Sequence, residues 1–210
     1  MELIGMLDSP YVRRVAVSLQ FLGIPFEHRS ISVFRQFEEF RAINPVVKAP
    51  TLLCDDATVL MDSTLILDYA QTLASPERAL LPRSVLERQA ALRIIGLALA
   101  AAEKAVQIIY ERNLRPAQKQ HEPWVERVTG QLLEAYGALE SELVRKPLSL
   151  QPIDQAGITT AVVWHFTQRM LPEQVQVARF PALQRFSLQA EQLPEFRAAP
   201  HGADTYHQNT

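Results

Sequence analysis

The sequence predicts an α/β domain followed by an all-helical one. Three observations carry that expectation. Strand-like and helix-like segments alternate through residues 1–76. Prolines at Pro76 and Pro82 bracket a linker-like stretch. Beyond it, helical periodicity fills the chain and no convincing strand pattern recurs. The predicted order in the first domain is strand, helix, strand, helix, strand, strand, helix. The second domain is predicted over 84–198. Residues 199–210 are polar and lack periodicity, which predicts a mobile tail.

The first strand is the apolar run Leu3–Leu7. Ser9 then stands at a helix N-cap and Pro10 at the first helical position. Val12, Val15, Leu19 and Leu22 recur at helical spacing, with Arg13 and Arg14 on another face. Gly23 supplies the stop, and Pro25 keeps the helix from resuming. Phe26–Ile31 alternates as a strand does. Phe34–Ile43 reads as a short helix anchored by Phe37 and Phe40. Pro50–Cys54 and Thr58–Met61 form strands around an Asp55-Asp56 turn, and Ser63–Leu73 is helical again.

The second half reads as long helices at Val85–Arg112, Trp124–Arg145, Gln155–Met170 and Ala182–Gln192. The first is apolar over most of its circumference and needs partners on several sides. Trp164 and Phe166 are expected in the core.

Bulk properties exclude several classes of partner. The 210 residues carry 21 basic and 23 acidic side chains, a net charge of -2. That balance gives no electrostatic reason to expect nucleic acid or an anionic membrane. Cys54, the single cysteine, has no internal disulfide partner and suits a reducing compartment. Glu2 and Asp8 interrupt any secretory apolar segment. Ala90–Ile109 still carries Arg93, Glu103, Lys104 and Gln107, so it reads as a buried helix rather than a membrane span. A cytoplasmic location is expected.

Two helix starts draw chemical interest. At Ser9-Pro10 a hydroxyl meets unpaired backbone N–H groups that favour negative charge, as a thiolate would supply. Asp62-Ser63 opens a later helix in the same manner. Alone, each reads as an ordinary cap. The carboxylates from Asp62 to Asp68 have no His or Cys at ligand spacing, so no metal is expected.

Four patterns in order give these residues a context: Ser9-Pro10-Tyr11-Val12-Arg13, Asn44 through Leu52, Met61 through Tyr69, and the helical second half. With them the chain resembles a cytosolic glutathione transferase, most closely bacterial members with serine at the first position. The resemblance implies a thioredoxin-like first domain that holds glutathione as co-substrate, an all-α second domain and a homodimer. It implies an enzyme of detoxification that presents glutathione as thiolate to a small electrophile. Ser9 would donate its O–H to the sulfur. Ala49, before a cis Pro50, would pair with the glutathione backbone. Asp62 and Ser63 would hold the γ-glutamyl ammonium and carboxylate. Lys48 either meets the glycyl carboxylate or is a solvated surface lysine. Tyr11, Tyr110 and Asn113 are candidates for the acceptor pocket.

The chain departs from the family pattern at three positions. Ala49 replaces a bulkier aliphatic residue, and Asp62 replaces the commoner Glu. Gly157 stands where a reciprocal helix cap has Asp, so Gly157→Asp is expected to raise the melting temperature. A mixed-disulfide reductase is disfavoured, because position 9 is not Cys. The competing reading is a binding module without turnover, like the stringent starvation proteins.

Overall fold

The structure is a computed structural model that describes residues 1–203 and Tyr206. The chain divides into two compact units. One is Met1–Leu80 with Glu191–Thr210, and the other is Leu81–Ala190.

In the first unit, strands β1 (Glu2–Ile4), β2 (Glu27–Arg29), β3 (Thr51–Leu53) and β4 (Val59–Met61) form one sheet. Its order is β2-β1-β3-β4. β1 runs parallel to β2 and antiparallel to β3, and β4 is antiparallel to β3. The first strand is shorter than the apolar run, because the chain turns at Gly5, where φ is 133°. Ile4, Ile31 and Phe40 form a core on one face, Phe40 coming from α2 (Phe37–Ile43). Strand alternation sends Leu3 and Leu52 to the other face, where both are fully buried. Helices α1 (Pro10–Leu22) and α3 (Ser63–Leu73) pack together.

Helix α1 ends as the sequence indicates. Gly23 adopts φ 71°, its N–H bonds the Gln20 carbonyl, and the Ile24 N–H bonds that of Leu19. Its polar face is a different matter. Arg13 and Arg14, read as a separate face, are 1% and 2% exposed. Buried guanidinium groups need partners, and both have them. Arg13 forms a bidentate pair with Glu191 at 2.7 and 2.6 Å and donates to the Ala199 carbonyl at 2.8 Å.

That network changes the reading of the C-terminus. Residues Glu191 to Ala198, placed by sequence in the second domain, cluster with the first. They include a helix that periodicity missed, labelled α8 (Pro194–Ala198), which packs on α1. The described part of the 199–210 tail is also anchored rather than mobile. Ala199 is fully buried, and the Ser30 hydroxyl donates to the Ala203 carbonyl. Tyr206 stacks on Phe26 with ring centroids 4.6 Å apart. Its N–H donates to His28 Nδ1 at 2.9 Å, which leaves Nε2–H to donate to the Gly5 carbonyl at 2.7 Å. Aperiodic chain is held here by carbonyls and a ring stack, which no hydrophobic pattern announces. Residues 204, 205 and 207–210 lie outside the described residues.

The second unit is helical. It comprises α4 (Val85–Leu114), α5 (Glu122–Arg145), α6 (Gln155–Met170) and α7 (Pro181–Ala190). α4 packs on α5 and α6, and α7 on α5 and α6. The helix buried nearly all round is α6 rather than α4. The buried stripe of α4 is rich in alanine, including Ala91, Ala98, Ala101, Ala102 and Ala105. Trp164 and Phe166 lie in the core, with Trp164 set edge-on to Tyr136 and Phe180. Glu140 caps α7, accepting the N–H groups of Ala182 and Leu183 at 2.7 and 2.9 Å.

Two stability predictions follow from this packing. Arg13→Leu strands the Glu191 carboxylate, so urea unfolding should show a loss of about 3 kcal/mol, the lower range for breaking a buried pair. An unchanged midpoint would contradict it. The expectation for Gly157 is reversed. Asp154 caps α6 through the Gly157 N–H at 2.8 Å, but a Cβ at Gly157 would fall 2.9 Å from Ile153 Cγ1 and 3.2 Å from Phe186 Cζ. Gly157→Asp therefore crowds apolar side chains and adds a second carboxylate beside Asp154. It should lower the melting temperature in a thermal scan; a rise would show that the site relaxes freely.

Candidate functional site

The sheet register brings the sequence-predicted residues to one edge. Ile4 pairs with Arg29 on one side and Thr51 on the other, and Thr51 pairs with Met61. β1 and β4 therefore end where β3 begins. Three of the segments that leave or enter this row are Gly5–Ser9, Lys48–Pro50 and Asp62–Ser63. Ser9, Lys48, Ala49, Pro50, Asp62 and Ser63 share one end of the sheet.

Close approach of two of these loops depends on Gly5. A Cβ there would lie 2.7 Å from Val12 Cγ2 and 3.1 Å from Ala49 Cβ. With no side chain at Gly5, the Ala49 loop packs directly on the turn that leads to Ser9. The smaller Ala49 is in keeping with that contact.

Ser9 is the N-cap of α1, with φ -72° and ψ 125°. Its Oγ accepts the Val12 N–H at 3.4 Å, a long and weak cap. That bond uses a lone pair, so the Ser9 proton is available to another acceptor. Tyr11 sits half-buried in the first turn.

The Ala49–Pro50 peptide bond is cis. A hydrogen-bond network fixes the loop before it. Buried Asn44 donates from Nδ2 to Thr51 Oγ1 at 2.8 Å and accepts the Val46 N–H at 3.0 Å. Thr51 Oγ1 donates in turn to the Lys48 carbonyl at 2.7 Å. Ala49 lies just outside the β3 ladder, between the Lys48 carbonyl that Thr51 holds and the strand itself.

Asp62 adopts φ 70°, an uncommon backbone for a residue with a Cβ. Its Oδ1 accepts the Thr64 N–H at 2.9 Å and so caps α3. Its Oδ2 lies 3.8 Å from Lys48 Nζ, both side chains being about half exposed. Asp62 and Lys48, assigned to two different ends of a ligand, thus face each other. Ser63 is buried, and its Oγ accepts from Arg14 Nη1 at 2.9 Å. The same nitrogen donates to Thr64 Oγ1 at 3.2 Å.

Arg14 is the residue that sequence reasoning missed. Burial pulls its guanidinium down to about 10, while Asp62 and Tyr11 oppose that shift, so it stays cationic at neutral pH. Asn44, Thr51 and Gly5 were also read only as parts of a pattern. One signal was present: Arg14 is followed at helical spacing by Val17 and Ser18, which lie on a buried face.

Tyr110 and Asn113 are exposed near the end of α4, in the second unit. Cys54 follows β3 at the opposite end of the sheet from Thr51, and burial pushes its thiol up. Among the described residues, no group of three or more His, Cys, Asp or Glu is placed to hold a metal ion. Among them, too, no helix is long and apolar enough to cross a membrane.

The loop network yields a test of its own. Thr51→Val keeps the shape but leaves the Asn44 amide and the Lys48 carbonyl without their buried partner. Chemical denaturation should show a loss of roughly 1–3 kcal/mol. A neutral result would mean that water replaces the hydroxyl.

The chain is similar to several known proteins. The family described as glutathione S-transferase, N-terminal domain, matches residues 3–78. The uncharacterized GST-like protein YibF of Escherichia coli (strain K12) is 29% identical over 161 residues, covering 77% of this chain and 79% of that protein. A zeta-class glutathione S-transferase of Euphorbia esula is 28% identical over 206 residues, covering 89% of this chain and 83% of that protein. A glutathione transferase family member of Pseudomonas fluorescens Pf-5, crystallised with bound glutathione, superposes with a TM-score of 0.82 at 27% identity. It covers 94% of this chain and 97% of its own. With its thioredoxin-like first unit and helical second unit, the chain is similar to glutathione transferases over most of its length, and residues 3–78 match the N-terminal domain of that family.

Proposed function

We propose that this protein is a glutathione transferase that binds glutathione at the sheet edge of its first unit and presents the sulfur as thiolate to a small electrophile. The observation that carries the reading is the row Ile4, Thr51, Met61, which gathers Ser9, Ala49 and Ser63 at one end of the sheet. The glutathione bound to the Pseudomonas fluorescens protein supports the choice of ligand.

A free thiol of this kind has a pKa near ~8.5, so little is ionised at neutral pH. Lowering it by about two units takes roughly 2.7 kcal/mol of preferential binding of the thiolate. Ser9 supplies an O–H donor and the opening turn of α1 a favourable dipole. The hydroxyl stabilises the sulfur anion and is not itself the nucleophile. Once ionised, the sulfur attacks the electrophile; the electrophile's leaving group departs, or its double bond takes up a proton. Tyr11, in the first turn of α1, is the acceptor-side candidate of this unit.

The rest of the tripeptide is held by its polar ends. Ala49 offers backbone groups to the central residue, in the manner of an added strand. Ser63, at the start of α3, meets the γ-glutamyl carboxylate. Binding exchanges partners in the half-exposed Lys48–Asp62 pair: the ligand ammonium goes to Asp62 and the glycyl carboxylate to Lys48. Such a pair is weakly held in water and gives way readily. Asp62 holds an uncommon backbone conformation at this point, as residues at ligand clamps often do. Leu65, Tyr69 and Leu73 form an exposed stripe on α3 that suits a homodimer contact. The cytoplasm is the compartment proposed for such a reaction.

Retention on glutathione-agarose, followed by comparison with Ser9→Ala, tests the reading. A thiolate stabilised by the site has a depressed pKa, so activity is present above that value and is lost as pH falls through it. Removing the donor raises the pKa, and the acid limb of kcat/KM should move up by as much as about two units. Activity near neutral pH should fall roughly 10- to 100-fold with retention unchanged. An unmoved limb would take Ser9 out of the mechanism. Failure of the unaltered protein to bind would favour a binding module without turnover.

A further inference from the structure

We infer that Arg14 is a positioning residue of the candidate site, one that sets it to select a free carboxylate on the ligand's γ-glutamyl end. The inference rests on the glutathione reading given above and adds to it the residue behind Ser63. Arg14 lies on α1, is 2% exposed, and spans to the first turn of α3. One nitrogen, Nη1, donates both to Ser63 Oγ at 2.9 Å and to Thr64 Oγ1 at 3.2 Å.

The consequence is a matter of donors and acceptors. A guanidinium can only donate. When it donates to Ser63 Oγ, it occupies a lone pair there, and the single Ser63 proton must point elsewhere. That proton is then a donor for an incoming acceptor. The same bond polarises the hydroxyl and makes it a stronger donor. Thr64 Oγ1 is oriented in the same sense. A cation that remains charged when buried also stands behind the helix start, adding to the positive end of α3. An anion gains from all three effects. A neutral carboxamide gains little from the charge and brings N–H groups that face other donors. Asp62 acts on the guanidinium from the same helix start, so the buried charge is partly balanced without the ligand.

The experiment compares two ligands in calorimetric titrations: glutathione, and its analogue with the γ-glutamyl α-carboxylate converted to a carboxamide. The unaltered protein should prefer glutathione strongly. Arg14→Met should weaken glutathione by a factor of roughly 10 or more, as expected for loss of a charge-assisted network, and leave the carboxamide within about 3-fold. The preference then falls. A purely structural role would weaken both ligands by the same factor, and that result overturns the inference. Arg14→Lys keeps a cation but on a shorter, more strongly hydrated side chain that does not reach the guanidinium's place, so its preference should fall between the two. Should Arg14→Met not fold, an unchanged preference in Arg14→Lys overturns the inference. If the unaltered protein binds neither ligand, the glutathione reading itself fails, an outcome distinct from equal loss in the variants.

Discussion

The pairing of Ile4 with Thr51 is the contact on which the candidate site depends. It is antiparallel, so the end of β1 meets the start of β3. The further pair Thr51–Met61 adds the end of β4 to the same row. Three loops from distant parts of the sequence therefore leave the sheet together. A slip of one residue would turn Thr51 to the other face and break its bonds to Asn44 and the Lys48 carbonyl. Gly5 then lets the first two loops touch. Ladder register, side-chain network and close packing agree on one arrangement, as expected where a loop cluster must be held by short strands.

The paired arginines of α1 show how the first unit manages buried charge. Each is taken out of water, which is unfavourable unless the group is fully bonded. Arg13 turns toward Glu191 and the Ala199 carbonyl and fastens the returning C-terminal segment. Arg14 turns toward the start of α3 and its hydroxyls. Adjacent positions on one helix thus serve different ends: one ties the chain together, and the other borders the site.

Much of the fold could be read from the sequence, because its elements are periodic. Ser9-Pro10 and Gly23 mark the limits of α1, and Asp62 and Asp154 cap α3 and α6 as their residue types suggest. The errors have physical causes. Arg13 and Arg14 read only as lying on another face than the apolar stripe, because their partners lie far along the chain or on another helix. Helix α8 is five residues long and too short for a period. The described part of the tail is anchored by carbonyls and one stacked ring. Gly157 read as a missing cap, whereas its lack of a side chain makes room for Ile153 and Phe186. The candidate site residues came from motif order, and the groups that hold them in place, Asn44, Thr51 and Arg14, emerge only from tertiary contacts.

The central claim is that the sheet edge holds a tripeptide with its sulfur against the Ser9 hydroxyl. A crystal structure with glutathione tests it most directly. The account predicts the sulfur within hydrogen-bond distance of Ser9 Oγ, the central residue paired with the Ala49 backbone, and the γ-glutamyl carboxylate on Ser63. A tripeptide bound away from this edge, or one whose sulfur points from Ser9 into solvent, would contradict it.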